Sequence, residues 1–135
     1  MSSGNVGQQL AAEYTMLAQL AEEIQKDIAL LQNLLAELDS AITTVKHLKE
    51  LSGEEEVLIP IASGVYAHGR VEKQTRFLVS IGSNILVERD PEATLKYLEE
   101  RKKEVKEHLD KRTEDLNRVL ARLEEIRRAV AAAKK

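Results

Sequence analysis

The chain has 135 residues, a net charge of −3, no cysteine, no tryptophan, one phenylalanine and three tyrosines. That composition excludes disulfides, thiolate nucleophiles and cysteine-based zinc sites, and it leaves little aromatic material for a large compact core. Charged residues are 32% of the total, the usage of long exposed helices.

The start, Met1-Ser2-Ser3-Gly4-Asn5, has no basic region followed by an apolar stretch, and no apolar run approaches the ~20 residues that span a bilayer. A cytoplasmic protein with no membrane association is expected. Residues 1–8 are polar and read as a flexible leader.

From residue 9 to 51 no proline or glycine interrupts the chain. An apolar seam runs through it in alternating steps of four and three: Leu10, Tyr14, Leu17, Ala21, Ile24, Ile28, Leu31, Leu35, Leu38, Ile42 and Val45. A period of 3.5 held over roughly five heptads marks a coiled-coil strand. Ser52-Gly53 is the predicted stop, with Gly53 as the C-terminal cap.

Residues 56–88 switch to a period of two and to Val and Ile. Val57 to Ile61, a Ser63-Gly64 turn and Val65 to Val71 predict one β-hairpin. Arg76 to Ile81, a Gly82-Ser83-Asn84 turn and Ile85 to Glu88 predict a second. Pro60 cannot donate to a ladder, so its strand is an edge or is bulged there. Two such hairpins are too small to be stable unaided, and their free edges call for other chains. The segment is therefore read as an oligomerisation module.

A second helix is predicted over residues 90–133, with Asp90 as cap, Pro91 in the first turn and Glu92 close behind. Leu95, Leu98, Val105, Leu109, Leu116, Val119, Leu123, Ile126 and Val130 form its seam, interrupted by Lys102 and Arg112. Residues 1–50 carry seven acids against three lysines, whereas residues 92–135 carry ten acids against thirteen bases. Opposite net signs favour pairing of the two helices with each other. The fold class is α+β, mainly α: a long antiparallel coiled-coil hairpin with two central β-hairpins.

No catalytic set, metal set or cofactor motif emerges. His47, His68 and His108 lie on three different elements, and the glycines at 64 and 69 lack the Lys-Ser/Thr pair and following helix of a phosphate loop. Glu54-Glu55-Glu56 reads as a solubilising collar beside an edge strand. Arg101-Lys102-Lys103 and Arg127-Arg128 are interleaved with Glu and lack stacking aromatics, which favours a solvated face and leaves a nucleic-acid-binding arm as a lesser alternative. A filament built through the β edges is the structural alternative.

In an antiparallel pair the first turns of helix one meet the last turns of helix two. Leu10, Tyr14, Met16, Leu17 and Leu20 there face Leu116, Val119, Leu120, Leu123, Ile126 and Val130. Met16, Leu20 and Leu120 fall outside the strict seam, so apolar surface is expected to remain exposed at this end.

The stretches Val57-Leu58-Ile59-Pro60-Ile61-Ala62-Ser63-Gly64-Val65-Tyr66-Ala67-His68-Gly69 and Val79-Ser80-Ile81-Gly82-Ser83-Asn84-Ile85-Leu86-Val87-Glu88-Arg89-Asp90 resemble the hairpins of the prefoldin family, α class. The resemblance covers nearly the whole chain, 1–135, as a single prefoldin-like domain. Ala62 and Asn84 stand where the family often has glycine, and the end from Ala129 is short and rich in alanine. The resemblance implies a hexamer of two α and four β-type subunits on a double β-barrel platform. It implies ATP-independent holding of unfolded clients and delivery to a group II chaperonin. It places Val57, Ile59, Ile61, Val65, Val79, Ile81, Ile85 and Val87 in the platform. Tyr14, Leu17, Leu20, Leu120, Leu123 and Ile126 are placed against client.

Overall fold

A computed structural model describes residues 2–133. The elements in order are α1 (Ser2–Lys49), β1 (Glu55–Ala62), β2 (Val65–Val71), β3 (Phe77–Ser80), β4 (Leu86–Arg89) and α2 (Pro91–Ala133). They fall into two compact units, Met1–Leu35 with Glu104–Lys135, and Ala36–Lys103.

In the first unit, part of α1 and part of α2 pair along their seams. Ile24 and Ile126 are 1% and 2% exposed, with Ala21 and Val105 also buried. Full burial of such side chains contributes about 1.5–3 kcal/mol each. Arg112 bonds Asp27 at 2.7 Å and Arg122 bonds Glu13 at 2.7 and 3.0 Å. Partner numbers that fall on one helix as they rise on the other make the pair antiparallel. The charged interruption at Arg112 thus sits on the seam with carboxylates beside it, Asp27 and Asp115.

α1 begins at Ser2, so the expected leader at 2–8 is helical, while Met1 lies outside the described residues. Adding residues to an existing helix avoids the nucleation cost, and Gly4 and Gly7 each cost only about 1 kcal/mol relative to Ala.

In the second unit Leu38, Ile42 and Val45 are the buried seam residues of α1. Lys102, the other interruption, bonds Asp39 at 2.7 Å. α1 ends at Lys49, two residues short of the expected stop, and Gly53 does not take the left-handed conformation of a C-terminal cap. The Gln74 N–H instead donates to the Leu48 carbonyl at 2.9 Å, satisfying one of the carbonyls orphaned at the helix end. α2 starts as expected: Asp90 accepts from the Ala93 N–H at 2.7 Å, a cap that contributes about 1 kcal/mol.

β1 and β2 pair antiparallel with Val57 opposite Gly69 and Ile59 opposite Ala67. Ser63 and Gly64 both have positive φ, 52° and 82°, the requirement of a two-residue turn matching strand twist. The register shifts between Pro60 and Ala62, so the chain bulges beside the residue that cannot donate. A Cβ at Gly69 would lie 2.7 Å from Ile59 Cδ1, so the glycine makes room for that side chain. β3 and β4 form a separate two-stranded sheet with Val79 opposite Val87, turned through Gly82, Ser83 and Asn84, all with positive φ. β1 starts at Glu55, so Glu55 and Glu56 belong to the strand instead of lying beside it.

Candidate functional site: an open apolar end and two uncovered hairpins

At the end where α1 begins and α2 finishes, Tyr14, Leu20 and Leu120 are exposed, and Met16 is 71% exposed. Leu17 and Leu123 are half-buried because the seam uses part of each. Ile126 does not face outward as the resemblance implied. It occupies a seam position and lies buried in the helix pair. Ala11, Tyr14 and Thr15 of α1 and Ile126, Arg127 and Val130 of α2 line a groove of about 330 Å³. Arg127, Thr15 and Ala11 were not among the expected site residues. Val130 was legible as a seam position.

Ion pairs brace this unit. Arg122 holds both Glu13 and Glu125, the latter at 3.0 Å, and Arg127 and Arg128 share Glu124 at 2.9 and 3.3 Å. The hydrogen bond from Arg122 keeps the Glu13 carboxyl below its ordinary range. Bonds from Arg112 and Arg127 do the same for Asp115 and Glu124 respectively. A carboxyl with a depressed pKa in the folded state binds fewer protons there than when unfolded. Its contribution is present above the unfolded value and is lost as pH falls through the folded one. Melting followed by circular dichroism is therefore expected to give a lower Tm at about pH 3 than at neutral pH, with most of the loss below the unfolded carboxylate range. An unchanged Tm would show that these pairs add nothing.

In the other unit the hairpins leave large apolar side chains in water. Of the expected platform residues, Ile59, Ile61, Val65, Ile81 and Ile85 are exposed, Val57 and Val87 are half-buried, and Val79 is buried within its own chain. Leu58, Tyr66, Leu78 and Leu86 are exposed as well and were missed. Leu58 and Tyr66 lie on the face of the first hairpin opposite Ile59. The signal was present: Val57 to Ile61 is a continuous apolar run, the pattern of a strand covered on both faces.

The histidines in this unit have carboxylate partners: His47 bonds Glu55, and His68 Nδ1 lies 3.1 Å from Glu56. Among the described residues no group of three or more His, Cys, Asp or Glu is placed to hold a metal ion. No helix among them is long and apolar enough to cross a membrane.

Long paired helices flanking hairpins with uncovered apolar surface define a coiled-coil subunit of a larger assembly. The chain matches the family model for a prefoldin subunit over residues 17–135, and it belongs to the prefoldin family. Prefoldin subunit alpha of Thermofilum pendens is 44% identical over 123 residues, covering 91% of this chain and 95% of that protein. Prefoldin subunit alpha of Archaeoglobus fulgidus is 29% identical over 132 residues, covering 98% and 96%. A chain of the cryo-EM structure of filamentous PFD from Methanocaldococcus jannaschii is 27% identical with a TM-score of 0.71, covering 85% of this chain and 95% of that one. With its α-type relatives this chain shares the role of a prefoldin co-chaperone subunit, and it assembles with other prefoldin subunits.

Proposed function

We propose that this chain is the α-class member of a cytoplasmic hetero-oligomer of two α and four β-type prefoldin subunits. It holds non-native proteins without ATP or any catalytic step and passes them to a group II chaperonin. In this reading residues 1–135 act as one domain, the hairpins join the subunits, and the open helix end takes the client.

The observation that supports this reading is where apolar surface stays in water. Among the described residues the exposed large apolar side chains, Leu30 apart, lie on the hairpins and turns or toward the open helix end. The first group has the multiplicity of an interface. The second, which includes Tyr14, Met16, Leu20 and Leu120, is shallow and suits weak contact with chains of varied shape. Several such ends on one particle would raise the effective affinity through local concentration.

The chain mixed with a β-type prefoldin subunit is expected to have the mass of a hexamer; fibres would favour the filament alternative. Replacing Tyr14, Leu20 and Leu120 together by Ser is expected to weaken suppression of client aggregation, measured by light scattering, while the particle mass stays the same. Undiminished suppression by the assembled variant would remove client capture from this end.

A further inference from the structure

The groove at the open helix end has one cation on its wall as well as an apolar floor. Ile126, Val130, Ala11 and the Tyr14 ring supply the apolar part, and Arg127 lines the same groove. Glu13 is the one charged residue among the first twenty of the chain. Both of its oxygens are occupied by Arg122, which also holds Glu125. Beside the groove, two guanidinium groups, Arg127 and Arg128, are left to share the single carboxylate of Glu124. Each of these three acids is thus engaged, and Arg127, bonded to Glu124 on one side and 71% exposed, stands at the groove wall.

We propose that this groove selects segments of non-native chains in which a bulky apolar side chain is followed by a carboxylate. The apolar side chain fills the space over Ile126 and Val130, and the carboxylate meets Arg127, aided by Arg128. The volume, about 330 Å³, sits at the small end of ligand sites, which suits one or two side chains of an extended segment. The preference rests on the reading of this end as the client site and adds a client chemistry to it. Solvent exposure keeps it modest: an exposed ion pair is worth about fivefold in affinity at most.

Three fluorescein-labelled peptides of equal length, alternating Leu with Asp, Leu with Ser and Leu with Lys, provide the test by anisotropy on the full-length chain. At low salt the Leu/Asp peptide is expected to bind up to about fivefold tighter than Leu/Ser, with Leu/Lys weakest, and high salt is expected to level the three. Arg127→Glu with Arg128→Glu is expected to invert the order. Arg127→Gln with Arg128→Gln is expected to abolish it, and this pair serves if the reversed chain loses helicity by circular dichroism. Equal binding of all three peptides at low salt, unchanged in the variants, overturns the charge preference and leaves apolar capture standing. Failure of every peptide to bind overturns both.

Discussion

Replacing Ile126 or Ile24 by Asp is expected to open the helix pair that these two side chains hold together, with the loss confined largely to residues 2–35 and 104–133. They are the two most fully buried large side chains of the described chain. Ile→Ala at such a site costs about 2–5 kcal/mol, from lost transfer energy and the cavity left behind. Asp adds the cost of burying a carboxylate in the apolar seam. Few other buried residues back up that unit, where many seam positions are only half covered. Hydrogen exchange resolved by peptide is the measurement: protection should fall in those segments and persist at Leu38, Ile42 and Val45. Ile126→Val, which removes one methylene, should cost about 0.5–1.5 kcal/mol and leave protection nearly intact. Protection unchanged in Ile126→Asp would mean that the seam does not hold the helices together.

The helix seams were legible because a heptad pattern is local and repeated, so a few charged interruptions do not hide it. What the interruptions do was not legible. Lys102 and Arg112 read as breaks in the frame, and the antiparallel alignment that brings Asp39 and Asp27 to them is a long-range property. The end of α1 was misplaced for the same reason. A glycine is a local signal for a cap, whereas the N–H of Gln74, 26 residues beyond Leu48, is not. At the open end Ile126 carried two readings at once. It stood in the seam by spacing and in the client set by resemblance, and the spacing decided its burial. Arg127 was read as part of a solvated charged face because a cation beside an apolar groove has no sequence signature apart from the groove itself.

Charge placed on either face of the first hairpin is expected to dissolve the assembly. The two-stranded sheet has Ile59 on one face and Leu58 with Tyr66 on the other, all exposed in the single chain. An isolated hairpin of this size is marginal in water, so both faces staying bare is hard to reconcile with a stable protein unless neighbouring subunits cover them. Leu58→Asp with Tyr66→Asp loads one face, and Ile59→Asp with Ile61→Asp loads the other together with the bulge. Each pair forgoes two buried apolar side chains, at about 1.5–3 kcal/mol apiece, and introduces two carboxylates without partners. Loss of about 4 kcal/mol already weakens association a thousandfold. Analytical ultracentrifugation with a β-type prefoldin subunit should show both double variants as dissociated chains, while circular dichroism still reports the helices. Should only the Ile59 and Ile61 variant dissociate, Leu58 and Tyr66 face solvent in the particle and the platform covers a single face. Full-sized particles from both variants would place the subunit contacts outside the first hairpin altogether.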